Sequence, residues 1–109
     1  MIEDDSITRR EIRGIIEGLG FEVREARSFV EALAYGPGFD LYTVDDILPG
    51  GSGYELVRAF RAHTDAPIVM VATVRSFAAR RKAVESGATA FLGKPFNPAY
   101  LRGVVMASF

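Results

Sequence analysis

At 109 residues with a formal net charge of −1 and 49% hydrophobic residues, the chain has the make-up of one folded domain, which argues against disorder and against a second domain. The near-zero charge gives no reason to expect nucleic acid or an anionic membrane as a partner, and no apolar run reaches spanning length. Cysteine is absent, excluding disulfides, thiolate metal sites and thiol nucleophiles, and without a leader-like segment the expected location is cytoplasmic.

In chain order, Met1 and Ile2 run at once into Glu3, Asp4 and Asp5, so a first strand is expected to be stunted or cut short. Ile12, Ile15, Ile16 and Leu19 then recur at i, i+3, i+4 and i+7 with Arg9, Arg10, Arg13 and Glu17 between them, the pattern of a half-buried helix that Gly20 ends. Phe21, Val23 and Glu25 alternate with charged neighbours as a second short strand. Ser28 and Glu31 have capping-box spacing and open a helix that stops at Gly36-Pro37-Gly38.

Leu41 to Val44 is a short apolar, β-branched and aromatic run that stops at two adjacent carboxylates, Asp45 and Asp46. Pro49, Gly50 and Gly51 forbid its continuation, and Ser52 with Glu55 starts a helix at Gly53 or Tyr54. Asp46 is read as an exposed neighbour of Asp45. Ile68 to Ala72 is a nearly unbroken apolar run, as expected of a strand covered on both faces. Ser76 to Ser86 reads as a helix ending at Gly87, with Arg80, Arg81 and Lys82 as a solvated basic face or a docking patch. Ala88 to Leu92 is a last strand, followed by Gly93, Lys94 and Pro95 and a final helix with Asn97 as N-cap and Pro98 at its first position. That helix ends early at Phe109, and His63, the single histidine, falls near a helix end with no triad partners around it.

Five alternations of strand and helix with short connections are the signature of a parallel sheet with helices on both faces. Right-handed crossovers bring the carboxyl ends of all strands to one rim, so Glu3, Asp4 and Asp5, then Asp45 and Asp46, then Lys94 are candidates to meet there. Converging carboxylates repel unless a cation joins them, and an all-oxygen cluster selects a hard divalent ion such as Mg²⁺. A lysine at the same rim suits a phosphate oxygen, and a carboxylate so placed can itself accept a phosphoryl group.

The acidic triplet Glu3-Asp4-Asp5, the segment FDLYTVDDILPGGSG, the strand opening APIVMV and GATAFLGKPF from Gly87 to Phe96 together resemble the receiver domain of bacterial two-component response regulators, a CheY-like superfamily. The resemblance covers essentially the whole chain, residues 1–109 as one receiver domain. It implies a flavodoxin-like, doubly wound (βα)₅ three-layer sandwich with a five-stranded parallel sheet in the order 2-1-3-4-5. It further implies Asp45, four residues before Pro49, as acceptor of a phosphoryl group from a histidine kinase or phosphotransfer protein. Asp4 is then a direct Mg²⁺ ligand with Glu3 beside it, the Ile47 backbone carbonyl a further ligand, Lys94 the phosphoryl contact, and Lys94-Pro95 a cis peptide. Phe91 takes the aromatic position whose exposure changes on activation, and the face made by the fourth helix, fifth strand and fifth helix is the output surface or a homodimer contact.

One position departs from the family pattern. Where Thr or Ser is expected, 22 residues before the lysine, stands Ala72, with Thr73 next. Strand side chains alternate faces, so Thr73 replaces the hydroxyl only if the register slips by one. This raises a rival reading, a pseudo-receiver that binds or dimerises with phosphorylation lost or uncoupled. A phosphatase of the haloacid dehalogenase type also uses a strand-end aspartate, but needs a second aspartate where this chain has Ile47. On the receiver reading the domain is not an enzyme, since its chemistry is confined to its own aspartate.

Overall fold

The computed structural model describes residues 1–109. Its elements are α1 (Ser6–Gly18), α2 (Phe29–Tyr35), β1 (Tyr42–Asp45), β2 (Ile47–Leu48), β3 (Gly51–Ser52), α3 (Gly53–Arg61), β4 (Ile68–Ala72), α4 (Phe77–Ser86), β5 (Ala90–Gly93) and α5 (Pro98–Ala107). β1, β4 and β5 form a parallel sheet in that order, with Asp45 opposite Val71 and Ala72 opposite Gly93. Ile2 adds parallel bridges to Val44 on one side and to Ala26 on the other. The spatial sequence Ala26, Ile2, β1, β4, β5 is the expected 2-1-3-4-5 order, its first two strands each reduced to a single bridge.

The second strand lies later than its alternation predicts. Phe21–Glu25 is not a strand; the ladder runs through the Met1 amino group to the Arg24 carbonyl at 3.1 Å, Ala26 N to the Met1 carbonyl at 2.9 Å and Glu3 N to the Ala26 carbonyl at 3.0 Å. The pairing with the Met1–Glu3 stretch runs through Arg24 and Ala26. Val23 still turns inward, and Phe21 packs against the same cluster. Where Pro49, Gly50 and Gly51 are expected only to end the strand, a small antiparallel pair forms, β2–β3, with Ile47 opposite Ser52 and Leu48 opposite Gly51.

Helix starts follow local capping chemistry. Asp5 caps α1 by accepting from Thr8 N at 2.8 Å, Ser28 caps α2 from Glu31 N, Ser52 caps α3 from Tyr54 N, Ser76 caps α4 from Ala79 N and Asn97 caps α5 from Ala99 N. The Ser28–Glu31 box is closed one residue early, Glu31 accepting from Arg27 N at 3.1 Å.

β4 organises the core because both of its faces are covered. Ile68, Met70 and Ala72 join Leu56, Val57, Phe60, Ala79 and Ala83 on the α3–α4 side, while Val69 and Val71 join Ile12, Ile16, Leu101 and Val105 on the α1–α5 side. Each of the Val, Ile, Leu and Met side chains among them contributes about 1.5–3 kcal/mol on burial, so a slip of β4 would turn both covered faces over at once. Ala72 pairs with Gly93 and sits in the same cluster as Met70, so the register has not slipped and no hydroxyl replaces the missing one.

Candidate functional site at the carboxyl rim of the sheet

Three strand ends deliver the site. Ile2 carries Glu3 and Asp4 into the first turn before α1, β1 ends in Asp45, and β5 leads into Lys94, followed by a cis Lys94–Pro95 bond. Carboxylate oxygens of Glu3, Asp4 and Asp45 lie within 4.8 Å of one another. Lys94 Nζ stands 2.8 Å from Glu3 Oε1 and 3.1 Å from Asp45 Oδ2. Glu3 and Asp45 are buried, Asp4 is exposed, and Lys94 is half-buried between them. Lys94 is aimed from its backbone: its N–H donates to the Ala72 carbonyl at 2.8 Å, tying the lysine to the end of β4.

Arg9, expected among the solvated residues of α1, is instead buried and supports the acidic turn. Its guanidinium donates to the carbonyls of Glu3 and Asp4, each at 3.2 Å, and pairs with Glu25 Oε1 at 3.0 Å; Arg13 also pairs with Glu25. Gly53 lets α3 begin against the rim, since a Cβ there would stand 1.9 Å from the Asp45 carbonyl oxygen. Its N–H donates to the Asp46 carbonyl at 2.9 Å.

Asp46 is not an exposed neighbour. It is 4% exposed, and its carboxylate accepts from Thr73 N at 3.0 Å and Val74 N at 3.1 Å. Ile47 takes the outward place instead, 60% exposed, with its N–H directed to Asp45 Oδ1 at 3.4 Å. The only sequence hint was an apolar residue following two acids; the partner N–H groups lie 27 and 28 residues away.

The charges act on one another. Burial, hydrogen bonds to the Asp46 and Glu3 carboxylates, and the Glu3 charge push the Asp45 carboxyl up to about 8, with Lys94 opposing. Burial also works to raise Asp46, but hydrogen bonds from the Asp45 carboxyl and from Thr73 and Val74 outweigh it and hold Asp46 below the usual carboxylate value. Burial disfavours the Lys94 charge, yet Glu3 and Asp45 more than compensate and hold it above its ordinary value.

The donor set fits a hard cation. All its atoms are carboxylate oxygens, and buried Glu3 Oε1 makes no aligned hydrogen bond despite its charge contact with Lys94.

The remaining candidates lie around this centre. Ala72 is fully buried, Thr73 exposed, and Phe91 buried with the Arg80 guanidinium 5.3 Å from its ring centroid. Lys82 lies 4.7 Å from the Tyr54 ring centroid, and Arg81 pairs with Glu85 at 3.2 Å. The basic stretch of α4 is therefore divided between two ring faces and an ion pair. His63 is exposed just past α3.

Sheet order, helices on both faces and a site at the carboxyl rim define a flavodoxin-like α/β domain. The chain belongs to the response regulator receiver domain family, which it matches over residues 1–106. It is 36% identical over 103 residues to a cyclic di-GMP phosphodiesterase of Thermotoga maritima, covering 94% of this chain and 28% of that protein. It is 31% identical over 100 residues to the transcriptional regulatory protein ResD of Bacillus subtilis, covering 90% and 42%. It thus spans less than half the length of these curated relatives. Among solved structures it superposes with a TM-score of 0.81 and 31% identity on a response regulator protein of Burkholderia pseudomallei with a phosphorylated aspartic acid, a calcium ion and citrate, covering 98% of this chain and 62% of that one. No helix is long and apolar enough to cross a membrane.

Proposed function

We propose that this receiver domain takes a phosphoryl group onto Asp45 from the phosphohistidine of a kinase or phosphotransfer protein. The observation that carries the reading is Lys94 Nζ set between Glu3 and Asp45 at the rim where three carboxylates converge. An Asp45 oxygen attacks phosphorus in line, the P–O bond forms as the P–N bond breaks, and the imidazole leaves with a proton from solvent. Lys94 stays with the reacting oxygens and offsets the charge that collects on the transferred group. Glu3, Asp4, Asp45 and the Ile47 carbonyl would hold Mg²⁺, which supplies charge neutralisation of the phosphoryl oxygens. The Burkholderia relative, with its phosphorylated aspartate and bound divalent ion, supports this assignment by likeness.

On this reading the domain acts on its own side chain and turns over no external substrate. The surface of α4, β5 and α5 faces a partner or a second copy of the chain, and Ala72 weakens the coupling between Asp45 and that surface.

Incubation with acetyl phosphate and Mg²⁺ tests the chemistry. One phosphoryl group should be gained by mass, and the gain should vanish in Asp45→Asn and on chelation. Absence of any adduct on the parent chain would favour a binding module instead.

A further inference from the structure

The segment after β4, Thr73 to Ser76, crosses the rim and leads into α4. With Ala72 fully buried and the register unslipped, no side-chain hydroxyl of β4 stands at the site to hold that segment. Yet its first two N–H groups are not left to solvent, although the side chains of Thr73 and Val74 are exposed. Both are taken by one buried carboxylate, Asp46, at 3.0 and 3.1 Å through separate oxygens. Asp46 is itself fixed, its carbonyl accepting from Gly53 N at 2.9 Å and its side chain 4% exposed. A carboxylate accepting two backbone N–H groups makes two charge-assisted bonds, roughly twice as strong as neutral ones. It also directly follows the acceptor aspartate in sequence.

We propose that Asp46 is a positioning residue that draws the 73–76 segment onto the rim, so that the loop is held in before any phosphoryl group arrives. The inference rests on the receiver reading for its importance, but the tether itself belongs to the unmodified protein. Here the anchor is the neighbour of the acceptor, it is charged, and it needs no ligand. The segment is therefore held at its start, and α4, which begins at Phe77, follows from a fixed end.

The test is amide hydrogen exchange and amide proton shift by NMR on the unmodified full chain, comparing the parent with Asp46→Ala and Asp46→Asn. Thr73 and Val74 amides should exchange at least about tenfold faster in Asp46→Ala and lose their downfield shift, while amides of Met70 and Leu92 in the sheet keep their protection. Asp46→Asn retains one acceptor oxygen and should keep one of the two amides near its parental shift. Unchanged exchange at Thr73 and Val74 would overturn the proposal, and so would equal acceleration at Met70 and Leu92, which would make Asp46 a contributor to overall stability only. Should Asp46→Ala fail to fold, Asp46→Asn decides by the same two amides. Acetyl phosphate treatment of the parent chain separates the two readings: a missing adduct removes the acceptor role of Asp45, whereas only the amide data bear on the tether.

Discussion

Gly53 offers a sharp test because two physical effects predict opposite signs. As the first residue of α3, a glycine costs helix stability, and Gly53→Ala should by propensity alone gain at most the interior value of about 0.8–1 kcal/mol. Against this, an added Cβ would lie 1.9 Å from the Asp45 carbonyl oxygen, 2.8 Å from its carbon and 2.9 Å from Asp46 Cα, all backbone atoms that cannot rotate away. Overpacking of this kind costs about 1–3 kcal/mol and more where neither side yields. Since the nearest contact is about 1 Å inside the closest real approach, the upper end applies, and a net loss of about 2 kcal/mol is expected. For a domain of this size that lowers Tm by about 8–16 °C. Thermal unfolding followed by circular dichroism measures it, with Gly14→Ala in exposed space on α1 as a control that should hold or gain stability. Because relief requires moving either α3 or the Asp45 peptide, the same variant should form the acetyl phosphate adduct more slowly. A Tm at or above the parent's would refute the claim that glycine is required there for close approach.

Three further outcomes follow from the site. With Asp45 raised to about 8 when folded and near 3.8 when unfolded, the folded state binds the extra proton between those values, so this group's contribution to metal-free stability should be fully present below about pH 4 and lost as pH rises through about 8. Urea titrations in the presence of chelator should show this fall between those pH values and find it flattened in Asp45→Asn. Arg9→Ala strips two carbonyls and Glu25 of a buried donor and should cost about 3 kcal/mol in urea unfolding; Arg9→Lys, lacking the fork, should restore less than half. Ala72→Thr should let beryllofluoride with Mg²⁺ shift the Phe91 amide more than in the parent, and equal shifts would show that coupling does not depend on the hydroxyl.

The residues that sit in short local signatures were legible before folding. Asp45 before Leu48-Pro49-Gly50 and Lys94 before Pro95-Phe96 declare strand ends by the turn chemistry that follows them, and the alternation of elements then places both on one rim. Asp46 and Arg9 were not legible, because what makes each important is a backbone group supplied by a distant or structurally unforeseen neighbour. An acid beside an acid reads as solvated until a loop from 27 residues away brings its N–H groups to it. The β2–β3 pair was missed for a different reason: Pro49-Gly50, with Gly50 at φ 85°, is a type II turn signature, but two-residue flanks carry too little pattern to announce a hairpin. The second strand was displaced because alternation in 21–25 records burial of Val23, while the backbone groups that pair with Met1 and Glu3 belong to Arg24 and Ala26.

The free margin of the β1-β4-β5 sheet is β5, four residues long and set between α4 and α5. Strand-by-strand growth into fibrils or swapped oligomers needs an extended template of free N–H and C=O groups, and a ladder this brief gives an incoming chain little to zip onto.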